Sequence, residues 1–206
     1  MIGSDLTVQL VMLRLLAGLI LATVQGVTIA AIAVLLGDKG PRYDARLTLM
    51  PFANVDLLGL GSMMLSGFGW SKPVTIETAQ LRFGRWGLVI AVLAGSAALL
   101  AVGYLLLLLV IPALTLLPYT AGLTTAAFLR VAARLSVWMA LFTLLPLPPL
   151  AGAHFLAAAG IKMPAVTGTV IGWGLLLAST FGFTRTILAP LYRLVAPLVL
   201  GPELGG

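Results

Sequence analysis

Long uncharged stretches set the rhythm of this chain. Residues 15–37, 86–129, 135–153 and 163–184 contain no Asp, Glu, Lys or Arg. About 20 predominantly apolar residues cross a bilayer as a helix, and each run reaches or approaches that length. The second is long enough to include a connection around Pro112 and Pro118. The pattern predicts membrane segments over residues 8–36, 86–110, 130–147 and 166–185. At about 1.5 Å per residue the first exceeds a hydrocarbon core, so it is expected to tilt or protrude, with Arg14 snorkelling to the near interface. Gly37-Asp38-Lys39-Gly40-Pro41 ends it, two glycines and a proline acting as helix stops. The third runs into Pro146-Leu147-Pro148-Pro149, through which no helix continues. A last apolar stretch, 187–200, is interrupted by Pro190, Arg193 and Pro197, and reads equally as an interfacial segment or a short fifth helix.

Between the first and second segments the pattern changes. Residues 38–85 are polar and irregular, and Arg46-Leu47-Thr48-Leu49 alternates like a short strand. Residues 50–68 are apolar but too short to span, which predicts a re-entrant element whose backbone polar groups are received by protein or by a water-filled cavity. The expected fold is an all-α polytopic membrane protein, one domain over 1–206. It is a bundle of four to five transmembrane helices with a short re-entrant or β element.

Composition sharpens this picture. Of 206 residues, 61% are hydrophobic and only 9% charged, where a soluble domain carries about 25% charged residues. The lipid bilayer is therefore the first partner. The net charge of +6 does not indicate nucleic acid, because the twelve Lys and Arg are scattered singly, with no basic stripe or aromatic platform. Six of them, Lys39, Arg42, Arg46, Lys72, Arg82 and Arg85, fall within 38–85, which predicts a cytoplasmic location for that connection and an outside N-terminus. The absence of cysteine excludes disulfides and thiolate metal sites. The first apolar run is too long for a signal-peptide core and lacks the basic segment and cleavage site of one, so it is expected to be mature structure.

Three local patterns carry a resemblance. Leu36-Gly37-Asp38 closes a helix and is followed by Arg46-Leu47-Thr48-Leu49-Met50-Pro51 and Asn54-Val55-Asp56. Gly67-Phe68-Gly69-Trp70-Ser71-Lys72-Pro73-Val74 follows, then Arg85-Trp86-Gly87 and Leu93-Ala94-Gly95. Leu144-Leu145-Pro146-Leu147-Pro148-Pro149-Leu150 is the third. In this order, across 25–152, the chain resembles the site-2 protease family of intramembrane zinc metallopeptidases in its short bacterial form. The resemblance implies a His-Glu-x-x-His helix, in which two histidines hold zinc and the glutamate is general base to the metal-bound water. The first His position falls on Gln25, the Glu on Gly26, the second His on Ile29, and the distal Asp ligand on Ala151. Two asparagines of the family pattern fall on Met50 and Thr143. None of these residues replaces the metal ligands or the base. The sequence is thus read as a degenerate member with no catalytic residue, no metal and no cofactor.

Other polar residues offer no substitute set. His154 is the sole histidine, and a catalytic zinc wants about three protein ligands; satisfaction by backbone or interfacial water near a helix start accounts for it better than metal ligation. Asp56 keeps its position in the pattern, and also suits an N-cap ahead of an apolar helix. No serine has a base at recognisable spacing. Gly168 and Gly172 form a small-xxx-small pair, suited to packing within the bundle or to docking a partner helix. The frame that survives, Asp56, Trp70, Lys72, Pro146, Pro148, Pro149, His154, Gly168 and Gly172, is expected to line a groove or meet a partner. These observations imply an accessory, assembly or structural subunit that binds transmembrane helices of a larger membrane complex in the bacterial inner membrane. No soluble small-molecule substrate is expected. The alternatives are an active intramembrane metallopeptidase with non-standard ligands, or a small transporter, although neither paired intramembrane charges nor an inverted repeat is present.

Overall fold

The computed structural model describes residues 7–161 and 164–201. Helix α1 covers Val8–Leu35, with Thr7 as N-cap accepting from the Leu10 N–H at 3.2 Å. Its end is fixed by Gly37 at φ +118°, where a Cβ would lie 2.7 Å from Gln80 O. Asp38 then locks the exit, its carboxylate accepting from the backbone N–H groups of Gly40 and Glu77, both at 2.8 Å. Short helices α2 (Gly40–Tyr43) and α3 (Pro51–Asn54) lead to α4, Leu57–Ser66. Helix α5 (Arg85–Leu108) continues into α6 (Val110–Leu116), and α7 covers Tyr119–Thr143. The chain closes with α8 (Ala153–Ala158), α9 (Ala165–Thr180) and α10 (Phe183–Leu200).

Among the described residues four helical stretches are long and apolar enough to cross a membrane, Val8–Leu35, Arg85–Leu116, Tyr119–Thr143 and Phe183–Leu200. The protein is a polytopic helical membrane bundle. Helices α1, α5 and α7 pack mutually at its centre; α10 lies against α7, α5 and α9, and α4 lies between α1 and α9.

The direction of each helix follows from side-chain contacts. Gln25 of α1 bonds Thr143 of α7. A Cβ at Gly67 would touch both Leu135 of α7 and Arg14 of α1. Helices α1 and α7 therefore run the same way. Helix α5 opposes them, with Gly95 against Gln25 and Ile29 and Leu99 beside Leu21 and Ala17. Segment 51–77 folds back along α1. It approaches Gly26 at Asn54, reaches Arg14 at the end of α4, and returns past Ser71 to Glu77 at the mouth. Gly67 makes the reversal at φ +83°, the left-handed conformation in which glycine ends helices at little steric cost.

Several expectations need correction. The alternation at 46–49 forms no strand; the β pairing of the connection is an isolated antiparallel bridge further on, between Val55 and Ser71. Arg46 is buried, and its guanidinium donates to the carbonyls of Ala53, Lys72 and Pro73, so the segment is ordered by a side chain rather than a sheet ladder. The helix expected over 166–185 is shorter, ending at Thr180, and Gly182 at φ +84° turns the chain. The membrane-length helix is instead the last one, which runs through Pro190 and Pro197. Proline in a membrane helix is tolerated where neighbours re-satisfy the freed carbonyls. Helix α7 begins at Tyr119, well before residue 130, so Arg130 and Arg134 lie within it instead of at its head.

Candidate functional site

Gln25 is fully buried on the inward face of α1. Its Nε2 donates to Thr143 Oγ1 at 2.8 Å, and its Oε1 accepts from Ser71 Oγ at 3.0 Å. Thr143 Oγ1 passes its own proton to Met139 O at 2.8 Å. One amide thus joins α1, the end of α7 and the returning limb after α4. The bonds are required there, because an unpartnered buried amide costs about 1–3 kcal/mol.

One turn further, Ile29 is buried in an apolar cluster with Ala30, Val74, Ala91, Val92 and Ala151. Helix α5 comes close enough to touch it because position 95 is glycine; a Cβ there would lie 2.6 Å from Ile29 Cγ1. Between Gln25 and Ile29, a Cβ at Gly26 would lie 2.7 Å from Asn54 Oδ1. Asn54 is fully buried, donates from Nδ2 to Thr48 O at 2.8 Å, and fills the volume a side chain at 26 would need. Ala151 arrives by the turn after α7. Gly152 N donates to Thr143 O at 2.7 Å, and a Cβ on Gly152 would collide with the carbonyls of Leu144 and Leu145.

The positions that the resemblance pairs with metal ligands therefore converge, Ile29 and Ala151 within one cluster and Gln25 a turn away. The residues on them do not fit zinc, which takes N, O or S donors from about three or four side chains. Ile29 and Ala151 present only carbon, and the amide oxygen of Gln25 is engaged by Ser71. Among the described residues, no three His, Cys, Asp or Glu side chains group closely enough to hold a metal ion.

Beside this cluster a groove of about 770 Å³ opens between the start of α5, the proline turn, α8 and the start of α9. Asp56, Pro148, Pro149, His154 and Gly168 all line it, joined by Arg85. Asp56 also caps α4, accepting from Gly59 N at 2.8 Å. Burial holds the half-buried His154 imidazole below the ordinary histidine range, opposed by a backbone hydrogen bond at Val74. Gly168 and Gly172 face the proline turn of their own chain; Cβ atoms there would lie 3.8 Å from Pro148 and 3.5 Å from Pro149. Lys72 is exposed and shares a second hollow, of about 500 Å³, with Asp56 and Phe52.

Three of the residues expected at the groove line neither hollow, Gly172 among them, which packs on Pro149 and Leu58. Trp70 is buried at 1% exposure in an aromatic core with Phe68, Trp138 and Phe142, because Gly59 lets its backbone and indole press onto α4. Pro146 is exposed and lines neither hollow. Conversely, Arg46 and the Ser71–Gln25–Thr143 linkage escape a linear reading, since their partners lie far away in sequence. The only local signal for Arg46 was a charge beside a segment too apolar to solvate it.

Over 128 residues the chain is 31% identical to a Bacillus subtilis (strain 168) protein named "Putative zinc metalloprotease YwhC". The match covers 60% of this chain and 58% of that protein. The chain thus spans little more than half of its curated relative, and the similarity supports a relationship to metalloprotease-like membrane proteins. No family model matches the chain, and no solved structure matches it.

Proposed function

We propose that this chain is a site-2-protease-like membrane protein that has lost peptidase chemistry and serves as an accessory, assembly or structural subunit. It binds transmembrane helices of a larger complex in the bacterial cytoplasmic membrane, with residues 38–85 on the cytoplasmic side. The observation that carries the reading is the Gln25 linkage to Thr143 and Ser71, set against the Ile29–Ala151 apolar contact. They support it because packing and closed hydrogen bonds occupy the positions that the resemblance pairs with metal ligands. The groove beside it supports the binding role, being largely apolar with a few polar groups at fixed positions.

A second reading rests on one observation: Asp56 and His154 line the same groove. On that reading the chain is a peptidase with non-standard ligands. Purification in mild detergent separates the two by elemental analysis, an assay on a transmembrane substrate, and mass spectrometry of co-purifying proteins. The accessory reading expects no stoichiometric zinc, no cleavage, and a recurrent membrane partner. About one zinc per chain, lost together with cleavage in His154→Ala, establishes the peptidase instead.

A further inference from the structure

The longest helical stretch exceeds the bilayer it enters. Arg85–Leu116 is 32 residues of apolar helix, about 48 Å at 1.5 Å per residue, against a hydrocarbon thickness of about 30 Å. Covering it by tilt alone would take about 50°, outside the roughly 0–40° range of membrane helices. Its last part does not turn aside. Val110 and Ala113 of α6 pack on Ala126 and Leu129 of α7, and a Cβ on Gly122 would lie 2.9 Å from Ala113 O. The two limbs of this hairpin therefore stay side by side to its tip.

Gly103 fixes the level at which charge first appears on the hairpin. A Cβ there would collide with Ser136 Oγ and lie 3.3 Å from Ala133 O, which puts Arg134 beside it. Gly103 follows Arg85 by 18 residues and precedes Leu116 by 13, about 27 Å and about 20 Å along the helix. A hydrocarbon layer that begins at Arg85 ends near Arg134 and leaves the apolar tip bare. A layer that covers the tip encloses Arg130 and Arg134. Ionisable groups inside a membrane pair with opposite charges or face a protected interior, yet both arginines are exposed.

The bare apolar surface and the exposed charge share one face. At about 100° per residue, Tyr119, Leu123, Arg130 and Arg134 lie within about 60° of one another on α7, and all four are exposed. The other faces of α7 are taken, by α1 and α5 at Ala132 and Met139, by α6 at Ala126, and by α10 at Ala133 and Val137. The described carboxylates, Asp38, Asp44, Asp56 and Glu77, all belong to the connection between α1 and α5. No acidic residue occurs between residues 78 and 202, and Asp5 and Glu203 lie outside the described residues.

We propose that this stripe of α7 docks a helix of another membrane subunit, apolar opposite Tyr119 and Leu123 and carrying two carboxylates one turn apart opposite Arg130 and Arg134. The proposal rests on the reading of the chain as a subunit that binds transmembrane helices, and gives it a second face, separate from the groove. Arg130 and Arg134 are four residues apart, the spacing at which helical side chains lie in line. Their forked N–H donors match carboxylate oxygens in pairs. Apolar contact along the rest of the stripe keeps water from these pairs.

The test co-reconstitutes the full chain in phosphatidylcholine vesicles with a synthetic leucine-alanine transmembrane helix bearing two glutamates four residues apart, or with its glutamine counterpart. Energy transfer from a dye on Thr115→Cys, an exposed site on α6 in a chain without cysteine, reads association with the labelled helix. The glutamate helix should bind about tenfold more tightly, the size that two interhelical polar contacts supply. Arg130→Gln/Arg134→Gln should abolish that preference and leave binding of the glutamine helix unchanged, which shows the variant intact. Arg130→Lys/Arg134→Lys should keep most of the preference, and Arg42→Gln/Arg82→Gln all of it. Equal binding of the two helices by the wild type would overturn the proposal. So would a preference that emerges only in Asp5→Asn/Glu203→Gln, which would assign the arginines to the chain's own carboxylates. Its loss when phosphatidylglycerol is added to the vesicles would assign them to lipid phosphate and overturn it as well. The accessory reading fails separately: a glutamate preference accompanied by zinc and cleavage removes that reading and leaves the docking face.

Discussion

At the scale of single residues, Gln25 is the most informative side chain. Its two hydrogen bonds reach partners 118 and 46 residues away in sequence. Gln25→Ala leaves the Ser71 hydroxyl without its acceptor and removes a donor from Thr143, both of them buried. The expected cost is about 1–3 kcal/mol, read as a lower midpoint of thermal unfolding in detergent. The same variant should leave partner co-purification per folded molecule unchanged if the protein is a binding subunit. His154 gives a second prediction. Its folded-state affinity for protons is lowered, chiefly by burial, so the unfolded chain binds a proton more readily below the ordinary value of about 6.5. Stability should therefore decline as pH falls through and below about 6.5, and His154→Gln should flatten that decline. A pH series of unfolding midpoints for both proteins checks it; identical slopes would remove the titration of His154 from the account.

At the scale of elements, the fold-back of α4 and its returning limb depends on glycine at particular faces. A Cβ on Gly59 would strike the Trp70 carbonyl and press on its indole, whereas one on Gly61 meets nothing within 4 Å. Gly59→Ala is expected to cost about 1–3 kcal/mol through overpacking. Gly61→Ala should be neutral or slightly stabilising, because it only removes backbone freedom from a helix. Tryptophan fluorescence during unfolding distinguishes the two, since Trp70 is buried against this helix. Gly172 belongs to the same class. It faces Pro149 and Leu58 within its own chain, so Gly172→Leu should loosen α9 from α4 and the proline turn. Any loss of partner binding in that variant must be compared with its folded yield.

At the scale of the whole molecule, the arrangement of charge predicts orientation. Six of the twelve Lys and Arg lie between residues 38 and 85, on the side where α1 ends and α5 begins. Ala79→Cys places a single exposed thiol in that connection of a chain without cysteine. It should resist an impermeant maleimide in intact cells and react after lysis; labelling of intact cells would invert the topology. The membrane class was legible from the linear pattern because lipid contact demands runs of apolar residues, and that demand acts on each segment separately. The proline run after α7 and the break at Gly37 were legible for the same local reason. The identity of the fourth spanning helix was not. A proline inside a helix is judged by the neighbours that receive its freed carbonyls, and those neighbours lie elsewhere in the sequence. The sequence by itself also determined that Gln25, Gly26, Ile29 and Ala151 are poor metal ligands, since that follows from side-chain chemistry alone. Only the tertiary structure decided that Ile29 meets Ala151, that Asn54 fills the space beside Gly26, and that Trp70 is core rather than groove. Those outcomes depend on how closely α5 and the returning limb approach α1, a distance set by contacts between residues far apart along the chain.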